Sequence, residues 1–109
     1  MDERTRKIRD LNEQLRLTGK GGKVVMVGSL AQTAEDYRKR VHSRVVMFRD
    51  FSEGRDPHGE RDFGSLKVGG RQINWKIDYY DRNTDYGSED PSDPSKTRRV
   101  LSIYFSEDQ

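Results

Sequence analysis

The chain has 109 residues, 30% hydrophobic and 37% charged, with a net charge of +2, a length that suits one domain over residues 1–109. It has no cysteine and only two histidines, His42 and His58. These counts exclude a disulfide framework, a thiolate zinc site, a cysteine nucleophile and a histidine-rich metal site.

The opening MDERTRKIRD is charged from its second residue, so no secretory signal is expected. No apolar run approaches the ~20 residues that span a bilayer, and the expected compartment is the cytoplasm. The near-balanced charge conceals an asymmetry. Residues 1–50 carry 12 Lys/Arg against 7 Asp/Glu, and residues 51–109 carry 9 against 12. A chain so mixed is neither a nucleic-acid mimic nor a typical basic nucleic-acid binder, and segregated charge favours a protein partner with its own patterned surface.

In chain order, RTRKIRDLNEQLRLTGKGGK reads as an amphipathic helix with Ile8, Leu11 and Leu15 on one stripe and Gly19 as its stop. KVVMVGS, residues 23–29, is an apolar β-branched run between glycines and predicts a buried strand. Thr33 is expected to cap a second helix over 34–50, with Tyr37, Val41, Val45 and Phe48 on its apolar face. The loop SEGRDPHGERD follows. FGSLKV and RQINWKIDYYD then flank Gly69-Gly70, a hairpin signal because both turn positions favour φ > 0.

In that second strand Ile73, Trp75, Ile77 and Tyr79 share one face, and Gln72, Asn74, Lys76, Asp78 and Tyr80 the other. RNTDYGSEDPSDPSK is a loop of turn formers with two Asp-Pro steps. TRRVLSIYFSE is a last strand with Leu101, Ile103 and Phe105 on one face. The order α-β-α-β-β-β predicts an α+β fold: a mostly antiparallel sheet of about four strands with two helices on one face.

Several short motifs carry chemical suggestions. GKGGK, residues 19–23, lacks the strand-before and helix-after order of a phosphate loop and reads as a helix stop with a turn. DPHGERD sets Asp56, His58, Glu60 and Asp62 at alternate positions, where carboxylates and an imidazole suit either a divalent cation or a self-bonded turn with Arg55 and Arg61 as partners. Lys76 and Asp78 sit two apart on the outer face of the Trp75 strand, with Tyr80 beside them. That trio could serve acid–base chemistry or form a surface ion pair. Arg38, Lys39, Arg40, Arg44 and Arg49 line the second helix and could meet phosphates, although no aromatic side chains interleave with them.

DPHGERDFG, WKIDYYD, the Asp-Pro steps and the TRRVL strand together resemble a family of small bacterial proteins known as a domain of unknown function. The resemblance extends to IRDLNEQLRLTGKGGKVVM and so covers nearly the whole chain. Matching positions are Asp56, Pro57, Gly59, Glu60, Asp62, Phe63 and Gly64, then Trp75 to Asp81. Two depart from the pattern: Arg55 stands where the family tends to have Asn, and Arg61 where it tends to have His. Were that His a ligand or base in the family, this chain would lack the activity. The resemblance implies carriage on plasmids and phage-like elements and an accessory role.

The expectation is therefore a small non-enzymatic binding protein from a mobile element, an inhibitor of a host defence complex (anti-CRISPR or anti-restriction) acting by protein contact. No cofactor and no metal are expected. The contact residues expected are Lys76, Asp78 and Tyr80 on the sheet, and Asp85, Glu89, Asp90 and Asp93 in the acidic loop. One alternative is a metal-dependent hydrolase or nuclease built on His58, Glu60, Asp62 and Asp78, with Asp56 nearby. Another is nucleic-acid binding through the basic helix over 38–49.

Overall fold

The computed structural model describes residues 1–52 and 54–108. It forms helices α1 (Glu3–Thr18) and α2 (Glu35–Val46) and strands β1 (Gly22–Met26), β2 (Phe63–Val68), β3 (Arg71–Tyr80) and β4 (Arg98–Phe105). Short 3-10 turns cover Gly28–Gln32, Pro94–Lys96 and Ser106–Asp108. The fold is α+β, with the sheet in the order β1-β4-β3-β2. β1 runs parallel to β4, while β2–β3 and β3–β4 are antiparallel, so the sheet is mixed.

Gly69 and Gly70 close the β2–β3 hairpin with φ of 60° and 79°, values an L side chain rarely adopts. The hairpin sets a register that pairs Gly64 with Trp75 and Phe63 with Lys76. Gly64 has a packing reason of its own. A Cβ there would lie 2.2 Å from the Trp75 Nε1 and 2.8 Å from the Phe48 ring.

The inner sheet face carries Ile73, Trp75, Ile77, Leu101, Ile103 and Phe105, which pack with Leu15 of α1 and Val41 and Val45 of α2. Phe48 and Phe51 stand edge-on to Trp75, at 5.6 and 6.1 Å between centroids. Tyr79 packs at the margin of this cluster.

Four expectations need correction. The buried side of α1 is Ile8, Asn12, Leu15 and Arg16, while Leu11 is only half-buried. Two polar residues therefore take helical core positions, which polar identity disguises in the sequence. α2 ends at Val46, not Asp50, because the Arg16 guanidinium takes over its end. Its Nη1 donates to the carbonyls of Val45, Val46 and Phe48 at 2.9, 2.8 and 3.1 Å, bonding acceptors at and just beyond the helix end.

Thr33 does not cap α2. It closes the preceding 3-10 turn, its hydroxyl donating to the Leu30 carbonyl at 2.7 Å, and Ala34 takes the cap position without a side-chain bond. β1 is an edge strand rather than a buried one, with Val24, Val25 and Met26 half-buried. GKGGK behaves as a helix stop: Gly19 is left-handed, and its N–H bonds the Leu15 carbonyl.

Candidate functional site

The loop of residues 54–62 turns toward α1. Asp56, buried, accepts the Arg61 N–H at 3.0 Å, which holds Arg61 at a left-handed φ of 53°. Arg9 clamps the loop through the Gly59 carbonyl at 2.8 Å. The Glu60 carboxylate accepts the Tyr79 hydroxyl at 3.0 Å. Asn12 donates to the same hydroxyl at 2.7 Å and to the Glu60 carbonyl at 2.9 Å. Its amide oxygen receives Arg99 Nε at 2.9 Å.

Arg99 also donates to the Pro91 carbonyl and lies 5.2 Å from the Tyr79 ring centroid. The network thus ties α1, the loop, β3 and β4 together. Burial raises the Tyr79 pKa well above its ordinary value and lowers that of Arg99. Asp62 sits beside this network, and burial first, then the charge of Glu60, raises its pKa.

Asp78, grouped in the hydrolase alternative with His58, Glu60 and Asp62, is turned away from this network by the strand's alternation. Asp78 lies on the outer face, where it pairs with Lys76 at 3.4 Å. His58 is exposed, and among the described residues no group of three or more His, Asp or Glu side chains is placed to hold a metal ion. The two departures from the family pattern have structural partners in this chain. Arg61 pairs with Glu13 at 3.3 Å, and Arg55 with Asp50 at 3.3 Å.

The acidic loop is less available than its composition implies. Asp81 accepts the N–H groups of Asn83 and Asp85. Asp90 accepts the N–H and hydroxyl of Ser92 and faces Arg4 at 3.6 Å. Asp93 does the same for Ser95 and starts the 3-10 turn Pro94–Lys96. These bonds lower the pKa of Asp90 and Asp93. Glu89 pairs with Lys96 at 3.4 Å, and Asp85 is exposed.

The basic helix face is also partly engaged. Arg38 donates to the Thr33 carbonyl, Lys39 pairs with Glu35 at 3.4 Å, and the Arg40 guanidinium lies 5.5 Å from the Tyr37 ring. Arg44 is exposed, and Arg49 lies beyond the end of the helix.

The outer sheet face differs from all of these because, among the described residues, neither α-helix packs on it. Lys76, Asp78 and Tyr80 line a groove of about 620 Å³ there, together with Phe63, Tyr104 and Val27. Phe63 is 43% exposed and Val27 41%, high values for apolar residues at a sheet surface. Tyr80 also borders a second hollow, lined by Lys23, Arg82 and Arg98 together with Val25 and Val100. Phe63 on β2 and Val27 beyond β1 thus stand at opposite edges of the groove, the Lys76–Asp78 pair, Ser102 and the largely buried Tyr104 lie between them, and Lys23, Arg82 and Arg98 make a cationic end.

Of the seven contact residues expected from the sequence, Lys76, Asp78 and Tyr80 come together here; Asp85, Glu89, Asp90 and Asp93 lie in the loop. Phe63, Tyr104, Lys23 and Arg98 were not anticipated. Strand parity, applied to β1, β2 and β4 as it was to β3, is the signal that finds them.

No curated protein and no solved structure matches the chain. A family model matches residues 25–108, which take in the loop, the hairpin, the outer face and β4. The chain belongs to the family described as protein of unknown function, DUF3768.

Proposed function

We propose that the protein is a non-enzymatic binding protein that docks on a protein partner through the uncovered sheet face. The observation that carries this reading is the uncovered groove in which exposed Phe63 and Val27 flank Tyr80, Tyr104 and the Lys76–Asp78 pair. Exposed apolar side chains interspersed with polar ones suit a protein contact, and the Lys23, Arg82 and Arg98 end suits an acidic rim on the partner. The resemblance to genes of plasmids and phage-like elements points to a host defence complex as that partner, a CRISPR effector or a restriction enzyme. In this reading the protein inhibits by occupying the partner, and the acidic loop has a minor part.

The test is calorimetry against purified CRISPR effector and restriction complexes, with the wild type and a Phe63→Ser/Lys76→Glu variant. Saturable binding by the wild type, lost in the variant, supports the reading. Absence of binding to any complex, or binding that the variant retains, refutes it. Retention of a single-stranded oligonucleotide by the wild type and not by the variant would instead make this face a nucleic-acid platform.

A further inference from the structure

A second cavity lies away from the outer face, where α1 meets the segment following α2. It holds about 300 Å³, and its charged lining is Arg16, Arg49, Arg61 and Glu13, three cations against one anion. Glu13 grips two of the three: Oε1 accepts Arg16 Nη2 at 2.7 Å and Oε2 accepts Arg61 Nη1 at 3.3 Å. Phe51 packs against the same two guanidiniums, whose carbons are 5.2 and 5.0 Å from its ring centroid. Both arginines are therefore fixed in position.

Each nonetheless keeps a buried donor unused. The Nε groups of Arg16 and Arg61 are buried and have no acceptor among the described residues. Arg16 itself is only 4% exposed. Native proteins seldom leave such donors unpaired, and those of charged groups least of all. Arg49, exposed at the rim, has no ion pair among the described residues. Leu17 and Phe48 supply an apolar wall opposite.

We infer that this cavity is a binding site for a small organic anion, whose oxyanion head is held by the Arg49 and Arg61 guanidiniums and whose apolar body rests on Phe48, Phe51 and Leu17. A guanidinium donates equally to carboxylate and phosphate oxygens, so the head group is an oxyanion of either kind. The volume exceeds that of a bare oxyanion, which is why an organic body belongs to the ligand. The site is independent of the outer face, since its lining shares no residue with either outer hollow.

The experiment is a titration of the full chain followed by amide chemical shifts, with phenyl phosphate, benzoate and inorganic phosphate as probes. Phenyl phosphate or benzoate should give saturable shifts at Leu17, Phe48 and Phe51, and the tighter of the two identifies the head group. Inorganic phosphate should bind about tenfold more weakly than phenyl phosphate. Arg61→Gln and Arg49→Gln should each weaken the organic anion, while unchanged thermal melts confirm folding; Arg16 is left intact because it holds the end of α2. No saturable shift, shifts scattered over other surfaces, indifference to both substitutions, or equal binding of inorganic phosphate would each overturn the inference.

Discussion

The two faces of the sheet use similar residues toward opposite ends. On the inner face most polar groups near the core are bound into structure, the Nε groups of Arg16 and Arg61 and the Trp75 Nε1 excepted: Asn12, Glu60, Tyr79 and Arg99 form one network, and Arg16 holds the end of α2. On the outer face, among the described residues, Lys76 and Asp78 form an ion pair with each other, half in solvent, and Phe63 is 43% exposed. Titratable groups near a hydrophobic core invite a catalytic interpretation, but here the buried cluster is accounted for as a bolt between elements. The outer face, chemically plainer, is the one proposed to meet a partner.

The comparison can be broken most sharply at its centre. Trp75→Ala removes the largest buried side chain and should cost about 3–5 kcal/mol of stability in urea unfolding. A cost near zero would mean that the inner face is not the core. Arg16→Met should cost about 1–3 kcal/mol, since it leaves the carbonyls of Val46 and Phe48 without their buried donor. Loss of protection in hydrogen exchange at the last turn of α2 would show that the cost arises there.

Asp62→Asn should act in the other direction. Its folded-state pKa is raised, so the native state binds its proton more readily than the unfolded chain does. Ionised Asp62 therefore opposes folding above its folded pKa, and that penalty disappears as pH falls through the folded value toward the ordinary ~3.9. The variant should melt higher than the wild type at neutral pH and match it in acid. Asp90 and Asp93 have lowered values and contribute stability above the ordinary carboxylate range, lost as pH falls through their folded pKa. On the outer face, Lys76→Ala should change stability by no more than about 1 kcal/mol, as expected of an exposed pair.

Much of this contrast was legible in the residues. Alternation in β3 separated Trp75 from Lys76 and Asp78, and Gly69-Gly70 located the hairpin that sets the register. The α2 boundary was not legible, because the apolar period runs on to Phe48 while the helix is ended by Arg16, 30 residues from Val46 in sequence. Asn12 and Arg99 were missed for a related reason: each is polar, and its burial makes sense only beside a partner 87 residues away. Composition likewise overstated the acidic loop, since it counts carboxylates without showing that Asp81, Asp90 and Asp93 are bonded to the loop's own backbone. The candidate face was half visible, through β3 alone, because parity in the other strands acquires a direction only once the sheet order is known.

Lysine footprinting of the complex with the partner tests the division of faces most directly. Acetylation rates compare Lys23 and Lys76, which line the outer hollows, with Lys7 and Lys39 on the exposed sides of the helices. Partner binding should protect Lys23 and Lys76 and leave Lys7 and Lys39 as reactive as in the free protein. Protection of Lys7 and Lys39 with Lys76 unchanged would place the contact on the helices and contradict the account.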